Sequence, residues 1–242
     1  MYLFYSNTII SHIMKLLQRP FSFNHNQRFN QYLSTDTQID VVQITKGTPS
    51  IECEYDEAMC APDIIEHCIE AEKAGYEGVF INCFGDPGVR AARERVNIPV
   101  VGGFEPVMHL AMGLADRIGI VTVLPNVLPL IKGNIAKAHL DGRIACVRSI
   151  DIPVLDLSSH EKLCNALYAE SLKAIREDGA EVIVLGCTAM VDVTETVQAR
   201  LHAAGYEICV LEAAQSAVMM LELNVRMGLK QSRITYMPVP EK

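Results

Sequence analysis

Two cysteines with repeated surroundings give this sequence a pair of groups that can exchange protons. Cys83 ends the segment GYEGVFINC and Cys187 ends the segment GAEVIVLGC. The offset is 104 residues at both ends, from Gly75 to Gly179 and from Cys83 to Cys187 (179 minus 75, and 187 minus 83). Each copy runs from a helical pattern through a glycine and an apolar run to the cysteine. The repeat predicts two similar units, each with a cysteine at the end of a strand.

Thiols at these two positions predict proton transfer at carbon. In parallel α/β sheets, ligands bind beyond the carboxyl ends of the strands. If two lobes face each other across an approximate two-fold axis, one thiol lies on each side of the ligand. One thiolate then removes an α-proton, the carbanion delocalises into the adjacent carbonyl, and the opposite thiol returns a proton. We expect no metal and no organic cofactor for this chemistry.

The loops that follow the two cysteines are expected to tune them. GDPGVRAARE begins two residues after Cys83, and TAMVDVTETVQ follows Cys187 directly. Backbone N–H groups that point at the sulfur would lower the thiol pKa and would hold a developing oxyanion. Gly85 and Gly88 let the backbone approach closely. A purely structural role competes with this interpretation, because cysteine is often buried, but the pairing of the two copies favours chemistry.

The whole chain alternates β-branched runs with amphipathic segments, which predicts an α/β fold. We expect two pseudo-symmetric lobes, each a largely parallel sheet flanked by helices, with the active site in the cleft between them. We place the first lobe at residues 1–104 plus 213–242, and the second at 105–212.

Six runs are predicted as strands, and one helix is especially clear. The strands are VVQI near 41, GVFIN near 78, IPVVGG at 98, IGIVTVL at 118, EVIVLG at 181 and EICVLE at 207. The helix spans Glu161 to Asp178, with a capping box from Ser158 to Glu161 and Gly179 as its stop.

Composition limits the possible partners. The formal net charge is -8, which argues against nucleic acid, because phosphate backbones need clusters of Lys and Arg. No apolar stretch approaches the roughly 20 residues of a membrane span, so we expect no membrane partner and a cytoplasmic location. The eight cysteines form no C-x-x-C pair, which disfavours structural zinc. A small-molecule substrate is the expected partner.

Four motifs of the chain can be compared with known families: SIECEYDEA at 50–58, CFGDPG at 83–88, IPVVGGFE at 98–105 and LGCTAM at 185–190. They resemble the aspartate/glutamate racemase superfamily, and within it the hydantoin and allantoin racemase branch. The amino-acid racemases of the superfamily usually have Asn-Thr after the first cysteine, whereas this chain has Phe84 and Gly85. The resemblance implies that Cys83 and Cys187 are the catalytic acid/base pair and that the protein forms a homo-oligomer.

The same resemblance implies a set of substrate-binding residues around the ring. These are Phe84, Gly85, Gly88, Thr188, Ala189, Ser50, Asn7 and Tyr55. The chain departs from the family at two places. Phe4–Ile9 reads FYSNTI where the family usually has an INPN-like strand, and Ala189 stands where the branch often has glycine.

The sequence therefore predicts a cofactor-independent racemase of a 5-substituted hydantoin or of allantoin. One alternative is an aspartate/glutamate-type amino-acid racemase, or a maleate isomerase in which one thiol attacks as a nucleophile. A second alternative is a non-catalytic two-lobe binding protein or thiol sensor.

Overall fold

The computed structural model describes residues 12–18 and 29–240, so Asn7 and the FYSNTI segment lie outside the described residues. The described chain divides into two compact units. Unit 1 comprises the described residues up to Ile51, then Tyr55–Gly103 and the described residues from Ala217 onward. Unit 2 comprises Glu52–Glu54 and Phe104–Ser216. The lobe boundaries inferred from the repeat stay a prediction.

Unit 1 is built on a four-stranded parallel sheet. Its strands are β1 (His12–Gln18), β2 (Thr37–Gln43), β3 (Gly78–Ile81) and β4 (Val100–Val101), in the order β2-β1-β3-β4. Its helices include α1 (Glu54–Lys73), whose first residue lies in unit 2, and α2 (Val89–Arg95).

Unit 2 has a second four-stranded parallel sheet. Its strands are β5 (Ile118–Thr122), β6 (Ile144–Ser149), β7 (Val182–Leu185) and β8 (Val210–Glu212), in the order β6-β5-β7-β8. Its helices are α3 (Phe104–Met112), α4 (Leu128–Lys137), α5 (His160–Asp178) and α6 (Thr194–Ala203), and α7 (Ala213–Arg226) begins there and continues into unit 1. Short 3₁₀ segments span Pro125–Val127, Asp141–Arg143 and Val154–Asp156.

Both sheets follow the same plan, because the first strand of each lies between the second and the third. The predicted α/β class with parallel strands is therefore confirmed. The strands β3 and β7 occupy the same place in the two sheets, and both are buried along their whole length. The core of unit 1 packs β3 against one face of α1, which contributes Cys60, Ile64, Cys68 and Ala71.

The sequence analysis missed two strands. The strand β1 reads HIMKLLQ and has a single β-branched residue, so its composition does not favour a strand. The strand β6 lies at the edge of its sheet, and all six of its residues are partly exposed, so it lacks a buried apolar run.

The long helix α5 ends where predicted but begins one residue earlier, at His160. Its N-cap is Ser159, and within the described residues that side chain makes no capping hydrogen bond, so the predicted Ser158–Glu161 capping box is wrong. Its end is as predicted, because Gly179 adopts a left-handed conformation with φ 73° and donates its N–H to the Ile175 carbonyl at 3.2 Å. None of the helices in the described part of the chain is long and apolar enough to cross a bilayer.

Candidate active site

Cys83 lies two residues beyond the end of β3, at the carboxyl edge of the unit 1 sheet. Its thiol is half-buried. The Cys83 N–H donates to the Ile81 carbonyl at 2.8 Å, and the Cys83 carbonyl accepts the N–H groups of Asp86 at 3.3 Å and Gly103 at 3.1 Å. The backbone of the cysteine is thus tied both to its own loop and to the segment that follows β4.

The Asp86 side chain packs against Gly102, directly after β4. Asp86 has a left-handed backbone with φ 58°, which is uncommon for a residue other than glycine. A Cβ added at Gly102 would overlap the Asp86 carboxylate and would lie 2.9 Å from Val89 Cγ2. Only glycine at 102 therefore leaves room for the observed loop.

Two predicted binding residues of this loop are closely packed. The Phe84 side chain is 3% exposed, so it is buried within the protein. Gly88 is the N-cap of α2 with φ 70°, and a Cβ there would meet Ile65 Cγ1 at 3.3 Å and the Ala61 carbonyl at 3.4 Å. Gly88 therefore allows the loop to pack tightly against α1.

Gly85 borders the thiol itself. A Cβ at this position would lie 3.7 Å from Cys83 Sγ and 3.6 Å from Glu57 Oε2. The sulfur and the carboxylate oxygen therefore line the same methyl-sized space beside Gly85. That oxygen of Glu57, which α1 supplies, is buried.

Cys187 occupies the equivalent place in unit 2, two residues beyond the end of β7. The residue before it is fixed on both sides, because Gly186 donates its N–H to the Val121 carbonyl at 2.8 Å and accepts the Thr122 hydroxyl at 2.8 Å. Thr122 is fully buried at the end of β5. The neighbouring strand β5 thus fixes the backbone directly before Cys187.

The environment of Cys187 corrects one expectation. The N–H groups of Ala189 and Met190 do bond to the sulfur and favour the thiolate, as predicted for this loop. Burial has the larger effect, and the nearby Glu52 carboxylate adds to it, so the pKa of Cys187 is raised to about 11. The expected lowering is therefore wrong for Cys187, and the group is a thiol at neutral pH.

Glu52 reaches this site from outside the repeat. Its Oε1 accepts the Val154 N–H at 2.6 Å, at the start of the 3₁₀ segment Val154–Asp156. The segment Glu52–Glu54 belongs to unit 2 although the chain on both sides of it belongs to unit 1. This anchor holds the carboxylate in the unit that contains Cys187.

The remaining predicted residues lie in different settings. Thr188 is buried beside Cys187, with 5% exposure, and Ala189 is half-buried. Ser50 is half-buried in the loop after β2, where its carbonyl accepts the Thr48 hydroxyl at 2.7 Å. Tyr55 is 67% exposed in the first turn of α1.

The structure thus groups Cys83 with Gly85 in unit 1, and Cys187 with Thr188 and Ala189 in unit 2. Sequence reasoning missed the two glutamates beside the thiols. Both lie in the SIECEYDEA motif, from which only Ser50 and Tyr55 were selected. The signal that could have pointed to them is the acidic character of this motif, which has four carboxylates in nine residues.

Comparison with known proteins identifies the family of this chain. The profile of the Asp/Glu/Hydantoin racemase family matches residues 24–221. The hydantoin racemase of Pseudomonas sp. (strain NS671) is 34% identical over 209 residues, which are 86% of this chain and 82% of that protein.

Two solved structures are similar along nearly the whole chain. The allantoin racemase from Klebsiella pneumoniae has a TM-score of 0.84 and 31% identity, over 95% of this chain and 94% of that one. The allantoin racemase from Pseudomonas fluorescens has a TM-score of 0.80 and 27% identity, over 95% and 98% of the two chains. The chain therefore belongs to the Asp/Glu/Hydantoin racemase family, and it is an isomerase of the racemase type.

Proposed function

We propose that this protein racemises a 5-substituted hydantoin or allantoin, with Cys83 and Cys187 as the two acid/base groups. The observation that carries the proposal is the equivalence of the two thiols. Each follows the third strand of a parallel sheet, by the same two residues, at the edge where such sheets bind ligands. The named activities of the relatives support the ring as substrate.

The proposed reaction exchanges one proton for another at C5 of the ring. A cysteine thiolate forms an S–H bond as the C5–H bond breaks, and the electron pair delocalises into the C4 carbonyl as an enolate. The second cysteine gives its thiol proton to the opposite face of C5 and becomes a thiolate. The stereocentre is inverted, and the two cysteines have exchanged protonation states.

The protonation state of Cys187 at neutral pH indicates which cysteine acts as the acid and which as the base. Because its pKa is about 11, Cys187 holds a proton at neutral pH and is suited to donate it. Cys83 is then the base for the enantiomer whose hydrogen faces it. Amides such as those of Ala189 and Met190, which bond to the sulfur, would stabilise the thiolate that donation leaves behind.

We further propose that Gly85, Thr188 and Ala189 lie around the ring, since they are adjacent to the two thiols. Phe84 and Gly88 would act through the shape of the loop. Roles for Ser50, Tyr55 and Asn7 in binding stay predictions, as do the homo-oligomeric state and the cytoplasmic location.

The test is to incubate the enzyme in D2O with single enantiomers of 5-benzylhydantoin, allantoin and glutamate. Optical rotation reports inversion, and the C5–H signal in proton NMR reports exchange, each against a sample without enzyme. We expect loss of rotation and of the C5–H signal with a hydantoin or allantoin. Cys83→Ser and Cys187→Ser should each abolish racemisation. Wild-type rates in either variant would contradict the assigned roles.

A further inference from the structure

Each thiol has a carboxylate in its immediate surroundings. In unit 1, Glu57 Oε2 and Cys83 Sγ line the same methyl-sized space beside Gly85. In unit 2, the Val154 N–H holds the Glu52 carboxylate in the same unit as Cys187, and the charge of this carboxylate disfavours the Cys187 thiolate. Neither glutamate takes part in the proposed two-base reaction.

The fold fixes one of these carboxylates and shields the other from water. The Glu52 side chain accepts the Val154 N–H at 2.6 Å, and the Oε2 of Glu57, near the start of α1, is buried. Charges inside a protein are screened less than charges in water, so a substrate carboxylate near either sulfur would meet strong like-charge repulsion. A neutral ring with N–H donors would instead find acceptors at both positions.

We propose that Glu52 and Glu57 are specificity-determining residues, which make the site accept neutral rings bearing N–H groups and reject substrates that carry a carboxylate. This inference rests on the proposed racemase activity and adds the basis of its substrate choice. It also separates this protein from racemases of acidic amino acids, whose substrates carry at least two carboxylates.

The experiment compares two hydantoins that differ in charge and hardly in shape. Hydantoin-5-acetamide is neutral, and hydantoin-5-acetate carries one carboxylate on the same one-carbon linker. The kcat/KM for racemisation of each is measured at pH 7 by optical rotation. We expect the wild-type enzyme to favour the amide, and Glu52→Gln and Glu57→Gln each to raise the acetate-to-amide ratio about tenfold.

Glu66→Gln is the matched control, because Glu66 is an exposed residue of the same helix α1 and its loss changes the net charge equally. This control should leave the ratio unchanged. Glu57→Asp keeps the charge and should keep the discrimination, so a general disturbance of folding is distinguished from loss of the carboxylate.

The failure of this inference and the failure of the proposed function would give different results. Equal wild-type rates on the two compounds, or Gln variants with the same ratio as Glu66→Gln, would overturn this inference while leaving the racemase intact. If the wild-type enzyme racemises neither compound nor any other hydantoin or allantoin, the proposed function itself is wrong.

Discussion

At the scale of single residues, burial decides the protonation of Cys187. Two backbone N–H groups favour the thiolate, yet removal of the sulfur from water and the charge of Glu52 outweigh them. A thiol with this pKa is almost fully protonated at neutral pH, so its proton is available for donation and its thiolate is rare. The neutral-pH form of Cys187 therefore suits the direction of inversion in which Cys83 removes the proton.

This leads to a prediction for the Cys83→Ser variant, in which Cys187 is the remaining acid/base group. Its thiolate fraction rises tenfold per pH unit below a pKa of about 11. We expect exchange of C5–H in D2O to rise about tenfold per unit between about pH 7 and pH 10. Proton NMR measures this rate, with the Cys83→Ser/Cys187→Ser double variant as blank. A plateau below pH 8 would show that Cys187 ionises far more readily.

The sequence alone does not show that Glu52 and Glu57 lie beside the two thiols. Cys83 and Cys187 could be identified because the repeat marks them. Glu52 and Cys187 are 135 residues apart (187 minus 52), and no local pattern links them. Their proximity arises only from the tertiary fold.

At the scale of elements, the loop after β3 is shaped by its fit against the end of β4. A Gly102→Ala substitution would push its Cβ into the Asp86 carboxylate and against Val89. We expect it to destabilise the protein by about 1–3 kcal/mol and to lower kcat, because the loop carries Cys83.

Gly133→Ala is the matched control for that substitution. Gly133 lies inside α4, and among the described residues no atom comes within 4 Å of a Cβ added there. Since alanine favours a helix more than glycine does, the control should be neutral or stabilising by up to about 1 kcal/mol. Urea unfolding and steady-state kinetics measure both effects. Equal behaviour of the two variants would contradict the packing argument.

The loop after β2, which carries Ser50, is held by Asp63 of α1. Burial alone would raise the pKa of Asp63, but the N–H groups of Lys46 and Thr45, at 3.0 and 2.7 Å, and the nearby His67 outweigh it and lower the pKa. A carboxyl whose folded pKa is depressed stabilises the protein above its unfolded pKa of about 3.9, and this contribution is lost as the pH falls.

Asp63→Asn should therefore lower the stability by about 1–3 kcal/mol at pH 7. The difference from the wild type should shrink as the pH falls through about 4. Urea midpoints at several pH values test this, with the exposed Asp141→Asn as control. A difference that is the same at pH 3 and pH 7 would show that the ionised carboxylate is not what holds the loop.

The elements themselves were predictable where burial imposes a pattern. The strands β3 and β7 are fully buried and appeared as continuous apolar runs, whereas the half-exposed β6 did not. The start of α5 was missed by one residue, because Ser158 and Ser159 are both acceptable N-caps and sequence does not choose between them.

At the scale of the whole molecule, the repeat predicted the class of fold but not the path of the chain. Both sheets share one strand order, as two copies of one pattern require. The chain, however, enters unit 2 briefly at Glu52–Glu54 before it returns to unit 1 at Tyr55. A repeat cannot predict this exchange, because it occurs outside the repeated segments.

At the scale of the whole molecule, two-base racemisation requires that the two thiols act on opposite faces of one carbon. The most direct test treats Cys83→Ser and Cys187→Ser with each pure enantiomer of 5-benzylhydantoin in D2O and follows the C5–H signal and the optical rotation. We predict that each variant exchanges the C5–H of one enantiomer without inverting it, and that the two variants choose opposite enantiomers. Exchange of the same enantiomer by both variants would contradict the account.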